Sequence, residues 1–181
     1  MERCRMVFSG SGGQGIITAA VIFAEAAVLY ENLNAVQSQA YGPEARGGAT
    51  RSDVIISDSD INFPKVIQPN VLICLTQESY NRFYPIIRPG GLLITDRRFV
   101  KIHKKVDALQ RELPMYQSVM DNIGRPIVFN ICMLGAVIRL TEIVKPESIM
   151  NVLADRIPSS FLEMNQKALN VGMELAAAIQ S

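Results

Sequence analysis

The segment "RMVFSGSGGQGIITAAVIFAEAAVLYE", residues 5–31, constrains the fold more than any other. Its first six residues read as a short buried strand that ends at a glycine. A glycine-rich turn follows. The chain then runs into an alanine-rich stretch that is apolar on most sides and reads as a buried helix. A strand that passes through a tight turn into a buried helix opens a strand–helix–strand unit.

The next two thirds of the alternation agree. "NAVQSQ" (34–39) reads as a second strand and "ATRSDVIIS" (49–57) as a third. "SDSDINFPKVIQP" (57–69) is a turn-rich connection with Pro64 and Pro69 as breakers. "NVLICLT" (70–76) is an apolar strand of buried type, "QESYNRFYPII" (77–87) a helix ended by "RPGG", and "LLITD" (92–96) another strand. Short links between alternating elements predict an α/β domain over residues 1–181. Its sheet should be Rossmann-like, mainly parallel and flanked by helices, with the glycine turn at a carboxyl edge.

The last third predicts a helical C-terminal part. "NICMLGAVIRLTEIV" reads as a helix with Asn130 as N-cap. "PESIMNVLADRI" begins with Pro146, a residue suited to a first helical turn. "SSFLEMNQKALNVGMELAAAI" has Ser160 and Glu163 in capping-box spacing. Its Phe161, Ala168, Leu175 and Ile179 can share a face that covers the sheet.

Composition removes several functions. Eighteen Lys and Arg against seventeen Asp and Glu leave a net charge of +1, so a nucleic-acid surface is not indicated. No apolar stretch is long enough for a bilayer span. "MERCRMVFSG" is too charged for a signal peptide, which makes a cytoplasmic location the expectation. Cys4, Cys74 and Cys132 are far apart in apolar neighbourhoods. They predict three buried reduced thiols, not an Fe–S cluster or zinc knuckle. The single histidine, His103 in "KIHKK", reads as a surface residue, which disfavours a Ser-His-Asp site.

Two loops carry the candidate chemistry. Gly10, Gly12 and Gly15 match G-x-G-x-x-G between a strand and a helix, with Gly13 and Gln14 inside the motif. Such a turn lets a phosphate approach the backbone N–H groups at a helix N-terminus. Three readings stay open for it: a tight turn for packing, an anion or cofactor site, and a subunit contact. The acid that holds a ribose in dinucleotide folds is missing from "NAVQSQ", where Gln37 or Gln39 would be poor substitutes. No Lys-Ser or Lys-Thr follows, so a P-loop is excluded. The second loop holds Tyr41, Gly42, Pro43, Glu44, Arg46, Gly47 and Gly48. Glu44 and Arg46 can pair with each other as a solvated surface pair. Alternatively, Arg46 and Arg51 can meet a carboxylate or phosphate, to which guanidinium forks are suited.

"GSGGQGIITAA", "QSQAYGPEARGGATRSDVIIS", "LTQESYNRF", "RPGGLLITD" and "MNQKALNVGMEL" together resemble the gamma subunit of 2-oxoacid:ferredoxin oxidoreductases. The similarity runs across the chain and is greatest to the short-subunit type of 2-oxoglutarate and branched-chain 2-oxoacid enzymes. "YGPEARGG" is its most specific part. The resemblance implies that a 2-oxoacid and coenzyme A give acyl-CoA and carbon dioxide while electrons pass to ferredoxin. It implies that thiamine diphosphate, Mg and Fe–S clusters sit on alpha, beta and delta subunits, with none of them held by this chain. It further implies that Gly10, Gly12, Gly13, Gln14, Gly15, Tyr41, Glu44, Arg46, Gly47 and Gly48 serve the coenzyme A side of the active site or a subunit interface. A stand-alone Rossmann-like nucleotide-binding oxidoreductase and a purely structural subunit are the alternatives. An oligomer is expected in any case, because "NICMLGAVI" and the alanine-rich first helix offer more apolar surface than a small sheet needs.

Overall fold

The computed structural model describes residues 3–39 and 49–179. Its elements are β1 (Cys4–Ser11), α1 (Ile16–Tyr30), β2 (Asn34–Gln39), β3 (Ala49–Ser57), β4 (Val71–Cys74), α2 (Gln77–Phe83) and β5 (Gly91–Asp96). β6 (Ala108–Leu113), α3 (Met115–Asn122), α4 (Phe129–Thr141), α5 (Pro146–Arg156) and α6 (Leu162–Ala177) follow. The six strands form one sheet in the order β2-β3-β1-β4-β5-β6. β1, β4, β5 and β6 pair in parallel, while β3 is antiparallel to both of its neighbours. The α/β reading with a mostly parallel sheet therefore holds.

Strand alternation divides the core between the two sheet faces. Met6, Phe8, Val54, Ile56, Val71, Ile73 and Ile94 face α1 and the C-terminal helices. Val7, Ile55, Leu72 and Leu93 face the other way, against Tyr80 and Phe83 of α2 and Val100. Phe8 and Phe23 are fully buried with ring centroids 6.0 Å apart. Burial of a side chain of that size contributes on the order of 2–3 kcal/mol.

The C-terminal helices form a layer of their own. α4 is buried from Phe129 to Ile138, so "NICMLGAVI" lies inside the chain and offers no surface for association. α6 packs mainly on α4, with smaller contacts to α3 and α5. Its buried residues are Asn165, Ala168, Leu169, Val171, Gly172 and Ala176, whereas Phe161 and Ile179 of the anticipated face are exposed. The expected sheet-covering face is corrected accordingly. α1 does leave apolar surface at its last turn, where Val28, Leu29 and Tyr30 are exposed.

Two cap assignments also change. Short 3-10 turns at Pro126–Val128 and Ser159–Phe161 start α4 and α6. Asn130 therefore falls inside α4, and α6 begins without a side-chain cap from Ser160. Pro146 occupies the first turn of α5 as expected. Cys74 and Cys132 are buried, and burial pushes both thiols up to about 12. Cys4 is only partly buried, which corrects the expectation of three buried thiols. His103 is exposed, its ring edge against Tyr80 and Tyr84.

Candidate functional site

β1, β4 and β5 run in parallel, so their carboxyl ends share one edge of the sheet. That edge is where ligands gather in open α/β folds. β1 delivers the glycine turn there, β4 the start of α2, and β5 delivers Asp96. The antiparallel β3 begins at the same edge. Ser11 pairs with Ala49 and Gly10 with Thr50, so the chain re-enters the sheet beside the glycine turn immediately after residues 40–48. Tyr41, Glu44, Arg46, Gly47 and Gly48 lie outside the described residues, as do Gly42 and Pro43.

The glycines of the turn have different duties. Gly10 is buried, and a Cβ there would meet Gln14 Oε1 and lie 3.0 Å from Ile16 Cδ1. Gly15 is the N-cap of α1 with φ +70°, a left-handed conformation that favours glycine. A Cβ on Gly15 would sit 2.5 Å from Asn130 Nδ2. Gly12 and Gly13 are exposed with open space around them, and Gly13 also has positive φ, +86°. Among the described residues, nothing lies within 4 Å of a Cβ added at Gly12 or Gly13, whereas Gly10 and Gly15 are closed in by Gln14, Ile16 and Asn130.

Gln14 braces the turn. Its Oε1 accepts from Ser11 N–H at 2.8 Å, and its Nε2 donates to the Leu75 carbonyl at 3.3 Å. Asn130, read from the sequence only as an N-cap, donates from Nδ2 to the Gly15 carbonyl at 3.3 Å. The turn is thus tied to β4 on one side and α4 on the other.

The helix N-termini at this edge differ in charge. Thr76 and Ser79 form a reciprocal capping box on α2. Asp96 serves α3: its Oδ1 accepts from Arg98 N–H and its Oδ2 from Tyr116 N–H, each at 2.8 Å. Burial nevertheless holds the Asp96 carboxyl above its ordinary value, with these backbone donors acting in opposition. α1 has neither a side-chain cap nor an acidic residue in its first turn. Its first N–H groups lack intrahelical acceptors. The partial positive charge of its N-terminus thus faces the open Gly12–Gly13 turn.

Of the other anticipated polar groups, Arg51 and Gln37 are already engaged. Arg51 forms a fork to Asp53, Nε to Oδ1 at 2.6 Å and Nη2 to Oδ2 at 2.9 Å, and donates to the Val66 carbonyl. It meets a carboxylate, but one of its own chain. Gln37 donates to Ser52 Oγ at 2.7 Å, which removes it as a stand-in for the ribose acid. Among the described residues no His, Cys, Asp and Glu side chains gather in a group of three that could hold a metal. Cys74 and Cys132 are buried and Cys4 half-buried, and burial holds all three thiols above their ordinary value. No helix of the described residues is long and apolar enough to cross a membrane.

Comparison with known proteins agrees over nearly the full length. Residues 5–175 match the family model described as pyruvate ferredoxin/flavodoxin oxidoreductase. The 2-oxoglutarate synthase subunit KorC of Methanocaldococcus jannaschii is 47% identical over 170 residues, covering 93% of this chain and 91% of that protein. The crystal structure of a keto/oxoacid ferredoxin oxidoreductase gamma subunit from Geobacter sulfurreducens superposes with TM-score 0.87 at 40% identity, over 97% of this chain and 99% of that one. A 2-oxoglutarate:ferredoxin oxidoreductase from Magnetococcus marinus, with 2-oxoglutarate, coenzyme A and succinyl-CoA bound, gives TM-score 0.88 at 22% identity. It covers 98% of this chain and 32% of that longer one, and at this identity the likeness is one of fold. The chain belongs to the pyruvate ferredoxin/flavodoxin oxidoreductase family.

Proposed function

We propose that this chain is the gamma subunit of a coenzyme A-dependent 2-oxoacid:ferredoxin oxidoreductase, with 2-oxoglutarate as its substrate. The observation that carries the reading is the 47% identity to a 2-oxoglutarate synthase subunit over 93% of the chain. The overall reaction joins the acyl group of the 2-oxoacid to the coenzyme A sulfur, releases carbon dioxide and a proton, and passes two electrons to ferredoxin. Thiamine diphosphate with Mg would supply the carbanion chemistry and Fe–S clusters the electron path, on alpha, beta and delta subunits of a cytoplasmic complex.

This chain's part is binding and orientation. The open backbone of Gly12 and Gly13 and the uncapped N-terminus of α1 suit an anion such as a coenzyme A phosphate. Arg46, in the connection that ends beside Ser11 at Ala49, would add a guanidinium to the same anion. Gly10, Gln14 and Gly15 would hold the turn in place, and Tyr41, Glu44, Gly47 and Gly48 would shape the second loop.

The test is to tag the chain in its own cell, purify it anaerobically, and measure coenzyme A-dependent oxidation of a 2-oxoacid panel. Co-elution of thiamine-binding and Fe–S subunits with 2-oxoglutarate as preferred substrate supports the reading. A chain that elutes alone without activity refutes it. Within an intact complex, Arg46→Ala should raise KM for coenzyme A at least tenfold with little change in KM for the oxoacid. Unchanged coenzyme A kinetics would remove Arg46 from the site.

A further inference from the structure

A hollow lies at the end of the sheet opposite the glycine turn, where β1 and β5 begin. It measures about 590 Å³ and is lined by Arg5, Phe63, Lys65, Ile67, Arg88 and Pro89, together with Gln68. Three of these side chains are cationic and none is a carboxylate. Among the described residues, none of the three cations takes part in an ion pair. On a chain with net charge +1, this clustering is local.

The apolar wall is as unusual as the charge. Phe63 is 57% exposed and Ile67 63%. Both lie in residues 58–70, a connection without helix or strand and of a length that is uncommon unless it carries function. That connection is held firmly. Arg3 donates to the Asp60 carbonyl at 2.8 Å, and Arg51 to the Val66 carbonyl at 2.9 Å. Asn70 exchanges hydrogen bonds with the Arg5 backbone, N–H to carbonyl at 2.7 Å and N–H to Oδ1 at 2.9 Å. Val66, between the two exposed side chains, is buried. The anchoring points inward and leaves Phe63 and Ile67 displayed.

We infer that this hollow docks an acidic segment of another subunit of the same complex. One apolar side chain of that segment would seat between Phe63 and Ile67, and two or more carboxylates would reach Arg5, Lys65 and Arg88. Aromatic and arginine side chains are the usual anchors of protein interfaces. The hollow is wide open, whereas a small-molecule site encloses most of its ligand. Cations that find no acid among the described residues call for a partner's carboxylates. The inference rests on the heteromeric reading above.

The experiment uses the purified complex. Phe63 is replaced by the photo-crosslinker p-benzoylphenylalanine, and crosslinked residues are identified by mass spectrometry. Lys65→Glu/Arg88→Glu is made in parallel; both side chains are exposed, and its melting temperature checks that it folds. The expected result is a crosslink to another subunit within five residues of at least two Asp or Glu. The double variant should bind that subunit at least tenfold more weakly, and wild-type binding should weaken with salt. A crosslink to a segment without carboxylates, to a second copy of this chain, or to nothing, with the complex intact, overturns this inference alone. So does a small anion that co-purifies with the wild type and is lost from the double variant. A wild-type chain that elutes without other subunits overturns the heteromeric reading and this inference with it.

Discussion

Gly172→Ala sets local preference against packing. α6 crosses α4 at two glycines, each facing the other helix's backbone. A Cβ on Gly172 would meet the Cys132 carbonyl oxygen, and would lie 2.8 Å from Cys132 C and 2.9 Å from Ala136 N. A Cβ on Gly135 would meet the Leu169 carbonyl oxygen and lie 3.1 Å from Met173 N. Backbone cannot rotate aside as a side chain can, so the helices must separate by on the order of 1 Å. A gap of that size forfeits up to about half of each dispersion contact across it. The contacts at risk belong to Cys132, Ala136, Ala168 and Leu169, all fully buried.

Such overpacking costs about 1–3 kcal/mol, and backbone-to-backbone collision puts this site at or beyond the upper end. Alanine in a helix interior returns about 1 kcal/mol relative to glycine. The net loss expected is ~2 kcal/mol, a fall in Tm of roughly 4–8 °C for a chain of this size. Urea and thermal melts followed by circular dichroism measure it. A Tm that is unchanged or raised would show that helix propensity outweighs the crossing, and would refute the argument. Gly135→Ala added to Gly172→Ala should cost less than Gly135→Ala alone, because the first substitution has already opened the same interface.

Gly15→Ala should lose about 1–2 kcal/mol in a urea melt, from its left-handed backbone and its contact with Asn130. Gly12→Ala, in open space, should stay within about 0.5 kcal/mol. Asp96 has its pKa raised by burial, so the folded state holds its proton more readily than the unfolded state. Stability from this group therefore falls as pH rises through the window that starts at the ordinary value of 3.8, and the cost remains at neutral pH. Asp96→Asn should flatten that part of the urea-midpoint profile between wild type and variant, yet destabilise the protein by about 1–3 kcal/mol, because its amide nitrogen faces one of the N–H donors of Arg98 and Tyr116. Cys74 and Cys132 should resist iodoacetamide at pH 8 in the native protein and label on unfolding, as read by mass spectrometry.

The strands of buried type were legible because their pattern is uninterrupted, as in "RMVFSG" and "NVLICLT". β6 was not, since "ALQREL" is an edge strand whose Gln110, Arg111 and Glu112 give no apolar run. α3 has only eight residues, with Met115 and Val119 as its buried pair, too few turns to establish a period. The caps failed for a common reason. Asn130 and Ser160 are suitable cap residues in sequence, but Asn130 lies beyond a 3-10 turn that begins at Pro126, and Ser160 lies inside one that Pro158 caps. Asn130 then bonds to Gly15, 115 residues away, a contact that no local pattern announces.

The glycine turn shows how far a motif alone reaches. Tight packing, ligand access and a subunit contact were rival readings of G-x-G-x-x-G, and the structure gives packing a cause at only two of its members, Gly10 and Gly15. Gly10 and Gly15 are required by their neighbours, Gln14 and Asn130, whatever binds. Among the described residues, Gly12 and Gly13 touch nothing that a Cβ would disturb, so packing against those residues does not explain why side chains are absent there. Positive φ accounts for Gly13 but not for Gly12. Gly12 is thus the member of the motif whose lack of a side chain has no structural cause among the described residues. If Gly12→Ala keeps its stability and loses coenzyme A affinity in the complex, the open half of the turn is a ligand surface. If it keeps both, the turn is scaffold and the anion belongs to Arg46 and its loop alone.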